Sequence, residues 1–168
     1  KLEIRFFTNS AIMENIKKWK NNKDFRVLLV YPNIQMSALM PLSMGLFTAL
    51  LKQEQYTVDL FDCTFYLDGS TDDTNQEKVK NHKVLSYDWS ERGVVPKTGM
   101  IHDFIKLIED FQPDLVAVSV LESTYDVGLG LMKAVPEKLR TYKTLFGGVF
   151  ATYAPEKVLK EEVIDMVC

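Results

Sequence analysis

The sequence has few of the residues that most often carry chemistry in proteins. Its 168 residues include two cysteines and two histidines, too few for a disulfide framework or a structural zinc site. The net charge is −3 without a long basic block, which argues against a nucleic-acid or anionic-membrane partner. No apolar run approaches the ~20 residues of a membrane span, and no signal peptide is visible. We therefore expect a cytoplasmic protein that binds no metal ion through its own side chains.

The composition is that of one globular domain, with 46% hydrophobic and 26% charged residues. The chain begins without methionine and ends directly after an apolar run, so we interpret it as a fragment of a longer protein. Residues 1–24 are predicted to form an N-terminal extension, an edge strand followed by a short helix. Residues 25–168 are predicted to form the main domain, with a polar insertion at about 63–98.

Apolar runs and helical patterns alternate from residue 26 onward. The runs lie at 27–31, 56–61, 115–120, 143–146 and 164–168. Helices are expected after Pro41 with Leu42, Leu46, Ala49 and Leu50 on one side, from residue 98 or 99, from about Asp126, and near Pro155. This alternation predicts an α/β, Rossmann-like domain. Its flavodoxin-type, doubly wound parallel sheet would have five strands in the order 2-1-3-4-5.

Ligands of such sheets bind beyond the carboxyl ends of the strands. The predicted lining comprises residues 31–41, 62–63, 121–125 and 147–153. These segments contain no histidine, lysine or paired carboxylates, so we assign no catalytic residue. Their small, hydroxyl-bearing and apolar side chains suit a large, mostly neutral ligand.

Several ligand-binding classes with this fold are disfavoured by particular residues. A receiver domain needs clustered acids and an acceptor aspartate, but Tyr31 and Ser119 stand at the ends of the relevant strands. A flavodoxin needs a phosphate loop rich in serine, threonine and glycine, which residues 32–36 do not supply. The Gly128-Leu129-Gly130 run lacks the third glycine and the preceding strand of a dinucleotide-binding fingerprint.

Two short motifs at the ends of neighbouring strands carry a family resemblance. Ser119 and Leu121 form a Ser-x-Leu turn, and Gly147-Gly148 follows the next strand. In this order the motifs resemble those of the cobalamin-binding domain, whose pattern is D-x-H-x-x-G, then S-x-L, then G-G. The resemblance implies that the turn and the glycine pair surround the buried nucleotide tail of cobalamin.

The first motif of that family is absent from this chain. Its three defined positions fall on Ala38, Met40 and Ser43, so the histidine that binds the lower face of cobalt is missing. His82 and His102 lie elsewhere and are expected to be surface or packing residues rather than cobalt ligands. The resemblance therefore implies a cobalt whose lower face receives no protein imidazole.

The C-terminal part resembles a histidine-free subgroup, the N-terminal domains of cobalamin-dependent radical SAM enzymes. Residues 147–156 follow its G-G-x-x-x-T-x-x-P-E pattern, and residues 163–168 resemble its aspartate-bearing strand. The subgroup includes methyltransferases and the anaerobic magnesium-protoporphyrin monomethyl ester cyclase. The resemblance implies a parent enzyme whose C-terminal barrel binds S-adenosylmethionine and a [4Fe-4S] cluster. The C-x-x-x-C-x-x-C motif for that cluster is absent here.

The resemblance and the predicted lining together define the candidate cofactor-binding residues. They are Ser119, Leu121, Ser123, Thr124, Gly147, Gly148, Thr152 and Met40. The main hypothesis is a module that holds cobalamin, expected as methylcobalamin, and presents it to the barrel. Two alternatives remain open: a docking domain that has lost cobalamin binding, and a flavodoxin-like domain that binds FMN or a nucleotide.

Overall fold

The computed structural model describes residues 7–8, 21–33, 41–66, 81–82, 93, 95 and 97–168. The strands are β1 (Phe7–Thr8), β2 (Arg26–Tyr31), β3 (Thr57–Asp62), β4 (Leu115–Ser119), β5 (Lys143–Gly147) and β6 (Met166–Val167). The α-helices are α1 (Leu42–Gln53), α2 (Met100–Phe111), α3 (Glu122–Ala134), α4 (Val149–Tyr153) and α5 (Pro155–Val158). Short 3-10 turns lie at Asn22–Asp24 and Glu137–Leu139.

The strands form one sheet in the order β1-β6-β5-β4-β2-β3. The five strands from β2 onward are parallel, and they lie in the order β3-β2-β4-β5-β6. Counted from β2 as the first strand, this is the predicted order 2-1-3-4-5, which is therefore confirmed. The N-terminal strand β1 adds an antiparallel edge, with Phe7 paired to Val167. The predicted helix of the extension and the middle of the predicted insertion lie outside the described residues.

The spacing of apolar residues explains why α2 forms and which side it buries. Met100, Phe104 and Ile108 recur every four residues and are all buried against the sheet. The helix begins after Gly99, as expected, and ends at Gln112, whose φ of 47° leaves the helical region just before Pro113.

Two predictions about the later helices were wrong in detail. The third helix begins at Glu122, four residues before the expected Asp126. It starts earlier because the Thr124 hydroxyl accepts a hydrogen bond from the Leu121 N–H group and so caps the first turn. The short helix expected near Pro155 is present as α5, but α4 precedes it and was not predicted.

The apolar side predicted for α1 is the exposed side. Leu42 is 87% exposed, and Leu46 and Leu50 are each about half exposed. The helix instead buries Met44, which packs with Val27 and Leu29 of β2. A helix that is apolar around most of its circumference gives no sequence signal for which side faces the sheet.

Most of the core lies on the other face of the sheet, between the strands and helices α2 to α5. Phe104 of α2 and Phe146 of β5 are the largest fully buried side chains there. Gly128 of α3 brings that helix close to β4, since a Cβ atom would lie 3.1 Å from Val118 Cγ1. This glycine therefore serves helix packing rather than dinucleotide binding. Among the described residues, no helix has the length and apolar character to cross a membrane.

Candidate functional site

The carboxyl ends of β4 and β5 bring the two sequence motifs into contact. Ser119 and Gly147 are paired in the parallel register of these strands. The Val120 N–H group extends the pairing by donating to the Gly147 carbonyl oxygen at 2.8 Å. The Ser-x-Leu turn and the glycine pair therefore form one continuous edge of the sheet, as the sequence predicted.

Gly148 is required by the fold itself. Its φ of 93° and ψ of −179° lie in a region that side chains other than glycine rarely adopt. A Cβ atom at this position would lie 2.7 Å from the Val120 carbonyl oxygen and 3.2 Å from Ser119 Oγ. This close approach lets the Phe150 N–H group donate to the Val120 carbonyl oxygen at 3.3 Å. Gly148 thus joins the start of α4 to the end of β4.

Gly147 is not required by the fold in the same way. Its φ is not positive, and a Cβ atom would meet only the Cys168 carbonyl oxygen, at 4.0 Å. The residue is half-buried at the end of β5, and among the described residues no other atom comes within 4 Å of that Cβ position. A glycine that neither the backbone nor its neighbours demand is typical of a position that another molecule approaches closely.

Two threonines of the predicted site hold the backbone in place. The buried Thr124 hydroxyl accepts from the Leu121 N–H group at 3.0 Å and contacts the Leu121 carbonyl oxygen at 3.4 Å. The exposed Thr152 hydroxyl donates to the Gly148 carbonyl oxygen at 2.9 Å. Both hydroxyls therefore fix the shape of the two turns, at the start of α3 and across α4.

The rim of this edge is apolar and exposed. Leu121 is 47% exposed, Val149 is 56% exposed and Tyr153 is 85% exposed. Ser123 is exposed beside Leu121 at the start of α3. Glu122 is the one carboxylate within residues 119–124 and 147–153. The edge thus presents apolar and hydroxyl groups with little charge, which agrees with the predicted neutral ligand.

A polar cluster lies at the carboxyl ends of β2 and β3. Asn33 and Thr64 are buried, and the Asn33 amide donates to Thr64 Oγ1 at 3.0 Å. The Thr64 hydroxyl and N–H group both donate to Asp62 Oδ1, at 2.5 and 2.9 Å. Asn33 and Asp62 fall within the predicted lining, but neither is among the candidate cofactor-binding residues. A cluster assembled from two separate loops has no spacing signal in a single sequence.

The remaining candidate residues lie apart from this edge or outside the description. Met40 lies outside the described residues. His82 and His102 are both exposed, the surface alternative of the two that were expected. Cys63 is buried, Cys168 is exposed, and neither forms a disulfide. The described part of the chain holds no group of three or more histidine, cysteine, aspartate or glutamate residues suited to a metal ion.

Two cavities lie at the opposite, amino end of the sheet. The larger, of about 660 Å³, is lined by Asn21, Asn22, Lys23, Gln53, Glu54 and Gln55. The smaller, of about 350 Å³, is lined by Lys23, Asp24, Arg26, Thr57 and Gln112. Both are open and polar, and helix and strand ends there lack the glycine edge described above. We therefore keep the carboxyl end as the candidate site, because ligands of parallel sheets bind there.

Comparisons with known proteins bear on the family and the fold of this domain. A family model described as a B12 binding domain matches residues 37–168. A search of the curated proteins found no match. The chain is similar, at 19% identity and a TM-score of 0.52, to the radical S-adenosylmethionine methyltransferase TsrM from Kitasatospora setae with tryptophan substrate and a SAM analog bound. A structure of the same enzyme with cobalamin and a [4Fe-4S] cluster gives 19% identity and a TM-score of 0.49.

The matched region comprises most of this chain but only a small part of TsrM. Each alignment covers 80% of this chain, but only 21% and 20% of the respective TsrM chains. The chain therefore spans about a fifth of the length of the structures it resembles. At this level of identity, the first of these likenesses shows a shared fold.

Proposed function

The chain belongs to the B12-binding domain family, whose ligand is cobalamin, and we propose that it is the cobalamin-carrying module of a radical SAM enzyme. The family match confirms the prediction of a cobalamin-binding domain, which was made from Ser119, Leu121 and the glycine pair. The activity of the parent enzyme is the part of the proposal that goes beyond this membership.

One observation carries the assignment of the site. Gly147 pairs in register with Ser119 at the sheet edge, and neither its backbone nor its neighbours require a glycine. The nucleotide tail of cobalamin would account for this, since a side chain at residue 147 would occupy the space that the tail enters. Ser119, Leu121, Ser123, Gly147 and Thr152 would then line the tail.

The other candidate residues support this lining. Gly148 and Thr124 would hold the two turns in shape through the contacts described above. Met40 keeps its place in the proposal because it lies in the chain segment between β2 and α1, within the predicted lining. Bound as methylcobalamin, the cofactor would supply a transferable methyl group. The protein residues bind and orient it, and none of the candidates supplies an imidazole to its lower face.

The parent enzyme is proposed to be a methyltransferase or a related cyclase. The likeness to a radical SAM methyltransferase, and the G-G-x-x-x-T-x-x-P-E pattern of residues 147–156, support this class. S-adenosylmethionine and the [4Fe-4S] cluster would bind to a C-terminal barrel, which would receive the methyl group. Magnesium-protoporphyrin monomethyl ester cyclase chemistry is the alternative within the same class.

The proposal includes the domain division and the cellular setting. Residues 1–24 would form an extension that contributes β1 to the sheet, and residues 25–168 would form the cobalamin domain with its insertion at about 63–98. A cytoplasmic setting is supported by the two cysteines, neither of which forms a disulfide, since thiols of this kind suit a reducing compartment.

Anaerobic titration of the chain with hydroxocobalamin tests the proposal. After gel filtration, the wild-type chain should retain a corrin absorption band. Gly147→Val should lose the band while keeping the wild-type melting temperature, because valine fits a strand end and blocks the crevice. Gly130→Ala is the matched control, since a Cβ atom at this α3 position meets nothing within 4 Å.

The outcomes separate the remaining hypotheses. Retention by both the wild type and Gly147→Val would contradict the site. A folded wild-type chain that stays colourless, tested also as the full parent protein, would favour the docking-domain alternative. Flavin fluorescence in an extract of the purified protein would favour the flavodoxin-like alternative.

A further inference from the structure

Tyr31 and Asp62 are two polar residues that lie side by side at the carboxyl ends of neighbouring strands. They are the last residues of β2 and β3 and are paired in the parallel register. Side chains alternate along a strand, so Tyr31 shares the face of Val27 and Leu29, which α1 covers. Both residues are half-buried, and the Cys63 N–H group donates to the Tyr31 carbonyl oxygen at 3.0 Å.

The Asp62 carboxylate is held in one orientation by the polar cluster beneath it. Its Oδ1 atom accepts both hydrogen bonds from Thr64, and Thr64 in turn accepts the hydrogen bond from the buried Asn33 amide. A binding group supported in this way loses little conformational freedom when a ligand arrives.

The pair retains unused hydrogen-bonding capacity. Within the part of the chain that the structure describes, Asp62 Oδ2 and the Tyr31 hydroxyl have no hydrogen-bond partner. Burial, and to a lesser extent the Asp62 charge, raises the pKa of Tyr31, so the phenol stays protonated and able to donate. An acceptor and a donor therefore stand together at the carboxyl end of the sheet.

The position of the pair matches the ligand proposed above. From β2 the chain continues to β3 on one side of the sheet, and from β4 it continues to β5 on the other side. The crevice of such a sheet opens between the two neighbouring strands where the direction reverses, here β2 and β4. Gly147 lies on β5, two strands from Tyr31, a separation of about 10 Å at the usual strand spacing. A ligand with a tail at β5 and a broad ring system reaches β2 and β3 over this distance. The corrin ring carries primary amides around its periphery.

We propose that Tyr31 and Asp62 form a second contact of the cobalamin site, which recognises a side-chain amide of the corrin. The Asp62 carboxylate accepts from the amide N–H group, and the Tyr31 hydroxyl donates to an amide oxygen. This inference rests on the proposed function, and it assigns ligand specificity to a pair that the family motifs do not contain.

Cobalamin monocarboxylic acids, in which one propionamide is hydrolysed to a carboxylate, test the contact directly. The wild-type chain should bind at least one of these isomers about tenfold more weakly than hydroxocobalamin, because two carboxylates would face each other. Asp62→Asn should remove this preference. Its side-chain oxygen can still accept both Thr64 hydrogen bonds, so the melting temperature should stay near that of the wild type.

Two further variants make the result specific. Tyr31→Phe keeps the ring and removes the hydroxyl, and it should weaken hydroxocobalamin binding about fivefold. Asp59→Asn makes the same charge change on the same strand, at an exposed position. Among the described residues, the Asp59 carboxylate accepts one hydrogen bond, from the Leu60 N–H group. This variant should leave the ratio of affinities for amide and carboxylate forms unchanged.

The two proposals fail in different ways. If the wild-type chain and parent protein retain no corrinoid, the cobalamin function is overturned and this contact with it. If the wild type binds hydroxocobalamin but Asp62→Asn has the wild-type ratio for every isomer, only the Tyr31–Asp62 contact is overturned.

Discussion

The two ends of the sheet are built from different kinds of residues. At the amino end, charged side chains bond to the protein itself: Asp114 Oδ2 accepts from the Arg26 N–H group at 2.9 Å, and Asp165 accepts from Lys143 Nζ and the Thr144 N–H group. At the carboxyl end of β4 and β5, glycines and hydroxyl groups replace the charges. These two amino-end carboxylates thus bond within the protein, whereas the carboxyl ends of β4 and β5 leave surface for another molecule.

This difference separates stability from binding. A carboxylate that accepts backbone hydrogen bonds at the amino end holds neighbouring strands together, and its removal should weaken the fold alone. At the carboxyl end, the fold does not require a glycine at residue 147, so replacing Gly147 should affect ligand binding rather than stability. Changes at the two ends should therefore alter different measurements.

The largest effect is expected from the glycine pair. Gly148 is required by the fold, whereas Gly147 is proposed to serve the ligand. Gly148→Ala should lower the free energy of unfolding by about 3–5 kcal/mol, from backbone strain and the contact with the Val120 carbonyl oxygen. Gly147→Ala should lower it by less than about 1 kcal/mol. Urea unfolding of both variants measures this contrast. Equal destabilisation would show that the fold, rather than a ligand, requires both glycines.

Tyr142, next to the start of β5, should make the amino end sensitive to alkali. Burial raises its pKa to about 12, with Arg140 opposing and Asp165 reinforcing the shift. Below pH 10 the phenol is protonated in both states. As the pH rises from about 10 to 12, the unfolded chain loses the proton first, so stability should fall by about 2–3 kcal/mol.

Unfolding experiments across this alkaline range test the effect of Tyr142. Tyr142→Phe should reduce the loss of stability between about pH 10 and 12, since phenylalanine has no proton to release. Tyr153→Phe serves as the control because Tyr153 is 85% exposed. A loss of stability that is the same in Tyr142→Phe and the wild type would contradict the assignment.

Asp114 should show that the amino end contributes to stability without contributing to binding. Asp114→Ala removes the acceptor for the Arg26 N–H group and should cost about 1.5–3 kcal/mol in urea unfolding. Hydroxocobalamin affinity should be unchanged at temperatures where the variant is folded. Asp110→Ala, at an exposed position of α2, should change stability by less than about 0.5 kcal/mol. Weaker cobalamin binding by folded Asp114→Ala would contradict the prediction that the amino end contributes to stability alone.

The sheet was predictable from the sequence because its strands are marked by local patterns. Five apolar runs, among them 27–31 and 115–120, alternate with helical patterns and indicate five strands. The doubly wound architecture of such alternating chains then gives the strand order. The orientation of α1 was not predictable, because leucines on its exposed side and Met44 on its buried side are equally apolar. Only the tertiary packing distinguishes those two sides.

The candidate site was predictable where one short motif carries it. Ser119 and the glycine pair follow directly from strand ends, and the structure brings them into register. The Asn33–Thr64–Asp62 cluster combines residues from two loops, and its partners are set by the sheet order rather than by spacing. The different roles of Gly147 and Gly148 depend on backbone angles and neighbouring atoms, which a run of two glycines does not reveal.

The smallest expected effect concerns Tyr125 of α3, which lies between the two ends. Its ring packs against Phe146 and Phe150, but its buried hydroxyl has no hydrogen-bond partner in the part of the chain that the structure describes. Burial, followed by the charges of Glu161 and Asp126, raises its pKa, so the group stays neutral. Tyr125→Phe should raise the free energy of unfolding by about 1 kcal/mol, since it removes an unsatisfied polar atom and keeps the ring.

Urea unfolding measures the stability of Tyr125→Phe, and cobalamin titration measures its affinity. A more stable variant with unchanged affinity would show that the hydroxyl serves neither the fold nor the ligand. A more stable variant with weaker affinity would mean that the hydroxyl is kept for the ligand at a cost in stability. That result would extend the binding surface beneath α4, on the side of the sheet opposite α1. A loss of stability would show that the hydroxyl has a partner in solution and would contradict the prediction.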